Sequence, residues 1–291
     1  MKYDVHLELE YEYAPPVATG HHLVRVMPMA VAGVQRVVVS STIFEPAPTE
    51  RSDRFDFFGN AVASVVYRAP HDALKVGMTA RVLVEAAGPM LDVSPDLPTL
   101  RRELNGVLSL APQSPHHFTT TSPRVGLDEE ITAYARESFA GAATARDIVR
   151  RFGERIHREF DYDSESTEVE TTPQEAFALR GGVCQDFTHV MIAGLRGVGV
   201  PAGYVSGFLR TTPPPGKERL AGADAMHAWV RAWCGKDTGW IGYDPTNGVF
   251  SSEDHIAVAI GRDYQDVAPI AGVLRTSGRQ RTSQSVDVVP V

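Results

Sequence analysis

The spacing of apolar residues changes partway along this chain, and that change limits what it can fold into. Near the start, Val5, Leu7 and Leu9 alternate with His6, Glu8 and Glu10, the period of a strand with one buried face. Runs at Leu23-Val24-Arg25-Val26, Val37-Val38-Val39, Ser64-Val65-Val66-Tyr67 and Thr79-Ala80-Arg81-Val82-Leu83-Val84 follow, separated by turn residues. That punctuation suits an antiparallel sandwich. Farther on, Ile148, Phe152, Ile156 and Phe160 form one apolar stripe while Arg150, Arg151, Glu154 and Arg158 occupy the other faces, the pattern of an amphipathic helix. The expected class is α+β: a β-rich, sandwich-like N-terminal domain over residues 1–122, then an α+β domain over residues 123–291.

The stretch from about residue 89 to Pro123 is rich in Pro and Ser and reads as a connector, with a short helical piece within Leu97 to Leu110. Pro173 to Val200 predicts two helices, the later one starting near Cys184 with Phe187, Val190, Met191 and Leu195 on its buried face. Strands are expected at Ala202 to Leu209, His227 to Cys234 and Trp240 to Tyr243. From Arg275 the chain is polar until Val286-Asp287-Val288-Val289, which reads as a terminal strand or a frayed tail.

With 291 residues, 43% hydrophobic and 22% charged, the chain has the make-up of one large or two ordinary globular domains. A formal net charge of −8 and the lack of any basic run argue against a nucleic-acid groove, because phosphate binding needs clustered Lys and Arg. Met1-Lys2-Tyr3-Asp4-Val5-His6-Leu7-Glu8 brings acidic residues where a signal peptide needs an apolar stretch, and no apolar run approaches the roughly 18 residues of a membrane span. A cytoplasmic protein with no membrane partner is expected. Two cysteines make no disulfide framework, so each is judged alone.

Three stretches carry chemistry. Gly181-Gly182-Val183-Cys184-Gln185-Asp186 places a thiol where a helical pattern begins, so the positive end of the backbone dipole favours its thiolate. Asp186 opposes that effect unless it is paired or turned away. In Met226-His227-Ala228-Trp229-Val230-Arg231-Ala232-Trp233-Cys234 the period is two. His227 therefore lies on the face carrying Trp229, Arg231 and Trp233, and Cys234 lies on the opposite, core-packing face. Trp229 is a candidate substrate contact, with cover for a cleft the alternative. Gly242-Tyr243-Asp244-Pro245-Thr246 puts a carboxylate at a strand end; capping the following turn is the alternative role for Asp244, and Asp186, Asp237 and Asp263 are competing carboxylates. Thiol, imidazole and carboxylate in this order are the parts of a nucleophile, a general base and the group that orients the base. A metal site from Cys184, His189 and Cys234, with His21-His22 or His116-His117, lacks zinc-ligand spacing, so no metal or cofactor is expected. His157 on the amphipathic helix reads as a solvated or capping histidine.

Gly182-Val183-Cys184-Gln185-Asp186, His227-Ala228-Trp229-Val230 and Trp240 with Asp244-Pro245-Thr246 resemble the three ordered blocks of the transglutaminase-like superfamily. Tyr11-Glu12-Tyr13 through Pro16-Val17, Phe58-Gly59-Asn60, His255-Ile256-Ala257-Val258-Ala259 and Gly261-Arg262-Asp263-Tyr264-Gln265-Asp266-Val267 resemble its bacterial members with a β-rich N-terminal region. The resemblance implies a papain-like core with Cys184 as nucleophile, His227 as base and Asp244 as orienter, acting on peptide or side-chain amides through a thioester. Hydrolysis is favoured over transfer to an amine, since the bacterial members resemble cysteine proteases and no calcium loop is present. A protein or peptide is the expected partner; a peptide-binding scaffold without turnover is the alternative. Many members carry Glu four residues after the histidine, where this chain has Arg231, so a substrate preference does not carry over.

Strand register offers a separate test. If Cys234 pairs with Trp240, Asp244 falls opposite Val230 and faces away from His227. If Gly235 pairs with Thr238, Asp244 falls opposite Trp229 and diagonal to His227, within reach of a hydrogen bond. The second register is the one an orienting role requires.

Overall fold

The computed structural model describes residues 1–85, 91–211, 222, 224–275 and 279–291. Residues 89 and 90 of the predicted connector, and 276–278 of the predicted polar tail, lie outside the described residues. The chain opens with β1 (Lys2–Val17), β2 (Thr19–Val24), β3 (Gln35–Glu45), β4 (Glu50–Phe55), β5 (Ala61–Tyr67) and β6 (His71–Val84). They divide into two antiparallel sheets, with β1-β6-β3 in one and β2-β5-β4 in the other. The alternation read from the sequence sets the packing: Val5, Leu7 and Leu9 of β1 and Leu74, Val76, Met78 and Val82 of β6 share one core with Val24, Val65 and Tyr67 of the other sheet. No apolar alternation predicts β4, and every one of its residues is exposed. Its Glu50, Arg51, Asp53 and Arg54 belong to a charged edge, a common protection against edge-to-edge pairing.

Both sheets are completed from the far end of the chain. Ile270–Arg275 pairs with β2, and Arg279–Pro290 pairs with β1 in an unbroken ladder from Tyr3↔Pro290 to Ala14↔Arg279. These strands fall in the span that the sequence assigns to the second domain, yet they pair with strands of the first region and complete its two sheets. The cause is a free edge. β1 offers a long row of backbone groups that only another strand satisfies, and the final strand looks polar in sequence because just Val286 and Val288 turn inward.

Between these ends lies the α+β region. α1 (Leu97–Asn105) starts at Asp96, whose carboxylate accepts from the Thr99 N–H at 2.9 Å. α2 (Glu129–Ser138) buries only Ile131, Tyr134 and Ala135, too sparse a stripe to announce itself in the sequence. α3 (Ala145–Glu159) buries Ile148, Phe152 and Ile156 as expected. Then come β7 (Asp161–Tyr162), α4 (Pro173–Leu179), β8 (Gly181–Gly182), α5 (Cys184–Val198), β9 (Ala202–Leu209), β10 (Ala225–Trp233), β11 (Trp240–Asp244), β12 (Val249–Phe250), β13 (His255–Gly261) and α6 (Tyr264–Val267), before the returning strands β14 (Ile270–Arg275) and β15 (Arg279–Pro290). The five longer-range strands form one antiparallel sheet in the order β12-β11-β10-β9-β13. α5 packs on β9 and β10 and is buried from Gln185 to Arg196.

β13 is the edge of that sheet, and the sandwich covers it with two side-chain amides. Gln35 donates to the Ala257 carbonyl at 2.8 Å and accepts from the Ala257 N–H at 2.9 Å; Asn60 does the same at Ile260, at 2.8 Å both ways. Each amide supplies the donor and acceptor that a neighbouring strand would. Among the described residues no helix is long and apolar enough to cross a membrane.

Candidate active site

Cys184 is the first residue of α5, half-buried, and the glycines before it make the approach possible. Gly182 has φ +141°, and a Cβ there would sit 2.5 Å from Asp186 Oδ2, so no larger side chain fits this turn. Asp186 folds back toward that turn. Its Oδ2 accepts from the Val183 N–H at 2.9 Å and the Thr167 hydroxyl at 2.7 Å. Burial raises its pKa against the pull of those two donors. The carboxylate that would oppose a thiolate is thus tied down and made harder to charge. Thr167 lies on a loop, and no periodic signal points to it.

His227 enters from β10. Its Nε2 hydrogen-bonds Asp244 Oδ2 at 2.7 Å, and Cys184 acts electrostatically on the same ring. With Nε2 engaged by the carboxylate, Nδ1 is the nitrogen left for the thiol. Burial works against charge on this imidazole, but the bond to Asp244 and the influence of Cys184 hold its pKa up at about 10. A histidine kept protonated beside a thiol is the setting in which cysteine becomes a nucleophile.

The register is the one that an orienting carboxylate needs. β10 and β11 pair Trp233↔Trp240, Ala232↔Ile241, Arg231↔Gly242 and Val230↔Tyr243, which sets Asp244 opposite Trp229. The loop joining them closes with the Cys234 N–H donating to the Gly239 carbonyl at 2.9 Å. Asp244 itself is fully buried. Oδ1 accepts from the N–H groups of Thr246 and Asn247 at 2.9 and 3.2 Å, while Oδ2 takes the Asn247 side-chain amide at 2.7 Å besides His227. Burial pushes its pKa up, but His227, His255 and Asn247 outweigh it and hold the carboxyl well below the ordinary range. The turn cap and the hydrogen bond to His227, set against each other in the sequence, are made by the same side chain. Asp237 and Asp263 make no hydrogen bond to His227; Asp263 accepts from the backbone of Arg124 and Gln265.

Trp229 is 4% exposed and clusters with Met29, Val205 and Ile260. Its ring stacks on His227 at 6.3 Å and meets His255 edge-on at 5.1 Å. It walls both imidazoles, and Gly207 on β9 makes room, since a Cβ there would run into the indole and the Ile256 carbonyl. Arg231 is enclosed over the Trp240 ring at 3.8 Å and donates to Gln113 at 3.0 Å; burial lowers its pKa to about 9. Cys234 is fully buried, and burial pushes its thiol up, in keeping with core packing. His157 braces the Asp244 turn, with Nδ1 2.8 Å from the Thr246 carbonyl.

Among the described residues Cys184, His189 and Cys234 form no metal-ligating group; the one close set is His227, Asp244 and His255. Asp244 Oδ2 already receives the Asn247 amide and both imidazoles, as a hydrogen-bond acceptor does. His255 was visible in the sequence only as part of a family block, with no spacing that ties it to Asp244. A surface depression of about 600 Å³ on the outer face of α3 is lined by Arg150, Arg151, Glu154, Arg155 and Glu159. These charges pair with one another or with Asp147, making a solvated ion-pair lattice that contains none of the three candidate residues.

The model of the transglutaminase-like superfamily core matches residues 132–245, which span all three candidate residues, and that of the bacterial transglutaminase-like N-terminal region matches residues 3–83. An uncharacterized protein of Mycobacterium tuberculosis is 34% identical over 294 residues, covering 99% of this chain and 93% of its own length. One from Mycobacterium leprae is 31% identical over 284 residues, covering 96% and 94%. Among solved structures, a candidate cysteine protease from Cytophaga hutchinsonii superimposes with a TM-score of 0.73 at 20% identity, covering 99% of this chain and 90% of that one, a likeness of fold. From the N-terminal strands through the Cys184, His227 and Asp244 blocks, this chain belongs to the transglutaminase-like superfamily, among the members that carry the bacterial N-terminal region.

Proposed function

We propose that the protein transfers acyl groups from peptide or side-chain amides through a Cys184 thioester, with water as the usual acceptor, as a cysteine peptidase or amidase. The observation that carries this reading is an imidazole held by a buried carboxylate, with the thiol at a helix N-terminus close enough to act on its charge. In acylation, Cys184 Sγ adds to the amide carbonyl, and the Cys184 N–H, in the first helical turn where backbone donors lack intrahelical partners, faces the developing oxyanion. His227 gives its proton to the departing amine as the C–N bond breaks, leaving a thioester. In deacylation, water adds to that thioester and yields a proton to His227; the C–S bond breaks, the acid leaves and the thiol is restored. Asp244 holds the ring and balances its charge throughout.

The test needs no prior substrate. The protein is incubated with a diverse peptide mixture, with and without a primary amine, and products are read by mass. Cleaved or deamidated peptides that disappear in Cys184→Ala support hydrolysis; amine adducts in their place would move the reading to transfer. Iodoacetamide that labels Cys184 no faster than an ordinary thiol, with no dependence on His227, would sink the enzyme reading and leave a peptide-binding scaffold.

A further inference from the structure

Asp244 carries a second imidazole that the three-residue scheme does not use. His255, the first residue of β13, lies with Nε2 3.2 Å from Asp244 Oδ2, the same oxygen that His227 engages at 2.7 Å. Its other nitrogen is committed: Nδ1 accepts from the Ser252 N–H at 3.1 Å. A backbone N–H can only donate, so Nδ1 holds a lone pair and the ring proton sits on Nε2, aimed at the carboxylate. His255 is 6% exposed, and Trp229 packs across both imidazoles.

We propose that His255 is a positioning residue of the triad: its Nε2–H fixes Asp244 Oδ2 as an acceptor and holds the carboxylate in the orientation that supports protonated His227. The proposal rests on the Cys184–His227 reading above. Three donors converge on Oδ2, from His227 on β10, His255 on β13 and Asn247 in the turn after β11. The carboxylate is thereby anchored from three segments, so rotation about its side chain breaks bonds to all of them at once. The titratable groups facing this centre are His227 and, through it, Cys184 of α5, the neutral phenol of Tyr243 on β11, and His157 of α3 behind the turn at Thr246. None of these is a second carboxylate able to replace Asp244.

The strand that carries His255 is held in turn by the sandwich. Gln35 clasps Ala257 and Asn60 clasps Ile260, and the Met29 N–H donates to the Ala257 carbonyl at 3.1 Å. A route of direct contacts therefore runs from the N-terminal region through β13 and His255 to Asp244.

The probe is iodoacetamide, whose rate of reaction with Cys184 in the full-length protein is followed against pH. Asparagine reaches the Nδ1 position of histidine and keeps the acceptor for Ser252; glutamine reaches the Nε2 position and keeps the donor to Asp244. His255→Asn should slow labelling at neutral pH by about 10- to 100-fold, the size expected from losing one hydrogen bond to a charged acceptor. It should also move the alkaline limb set by His227 to lower pH, while His255→Gln stays within a few-fold of wild type with its limb in place. A His255→Asn profile that superimposes on wild type, or equal losses in both variants, overturns the proposal. Ring nitrogen shifts of the wild-type protein give an arm free of folding effects: a proton on His255 Nδ1 in place of Nε2 would also overturn it. If wild-type labelling shows no dependence on His227 at all, the enzyme reading fails first, and the two failures are told apart.

Discussion

The two halves of this molecule bury different things. The sandwich encloses a nearly continuous apolar core, from Val5 and Leu7 on β1 to Met78 and Val82 on β6. The α+β region adds to its own apolar core, Phe152, Val190 and Met191 among it, a set of buried polar groups: Asp186, His189, Arg196, His227, Arg231, Asp244, His255 and Asp263. Apolar burial is non-directional and roughly proportional to area, so it tolerates repacking and favours stability. Buried charge is costly unless each polar atom has a partner in the right place, and the second region meets that cost with directed bonds such as the five received by Asp244. One half of the chain is organised for stability and the other for holding a few atoms in place, and they meet at Gln35, Asn60 and β13.

The sharpest way to break this contrast is at the site. Cys184→Ala should lower turnover by about a thousandfold or more, since nucleophile and base act as a unit, while the thermal midpoint stays close to wild type. His227→Ala should cost nearly as much and add little to Cys184→Ala. Asp244→Asn should cost less, because an amide can still orient the ring. Substantial turnover left in Cys184→Ala would rule out the covalent route.

In the sandwich the expected effect is on stability. Leu74 is fully buried on β6, and Leu74→Ala should destabilise by about 2–5 kcal/mol from lost transfer energy and the cavity left behind, with turnover per folded molecule unchanged. Denaturant midpoints and activity measured together check it; a loss of turnover in the folded fraction would mean that the halves are not separable in this way. Asn60→Ala probes the seam. Removing it leaves the Ile260 N–H and carbonyl buried without their partner, about 1–3 kcal/mol, and because β13 carries His255 the labelling rate of Cys184 should fall as well. Stability loss alone would confine Asn60 to a structural role.

The pH responses also separate the regions. The His227 pKa is raised from 6.5 to about 10, so its stabilising contribution is fully present below pH 6.5 and is lost as pH rises through about 10. Asp244 is shifted the other way, so its contribution is present above the ordinary pKa of 3.8 and is lost as pH falls through the lower folded value. Acid and alkaline unfolding should therefore both be muted in His227→Ala and Asp244→Asn, and unchanged in Leu74→Ala apart from a uniform offset. The smallest effect expected is none: EDTA should leave turnover intact, and loss of activity on chelation would reopen a metal role for His227, Asp244 and His255.

Much of the layout could be read without coordinates because its signals are local. Alternation gave β1 and β6, the stripe from Ile148 to Ile156 gave α3, and parity placed His227 and Cys234 on opposite faces of one strand. Parity also reduced the His227–Asp244 contact to a choice between two registers, and the loop after Trp233 made the choice. What escaped was partnership across distance. Nothing in the polar run Arg279 to Ser285 says that it completes a sheet with β1, because edge pairing is made by backbone groups that every sequence has. No spacing links Thr167 to Asp186, or Gln35 and Asn60 to β13. The sequence by itself determined which residue types could act and which face of each strand they occupy, since periodicity is a property of neighbouring residues. Only the tertiary structure decided that Asp244 takes two imidazoles on one oxygen and that the N-terminal region clasps the strand bearing one of them, because hydrogen bonds are selected by position in space, and residues far apart in the chain share position only once it has folded.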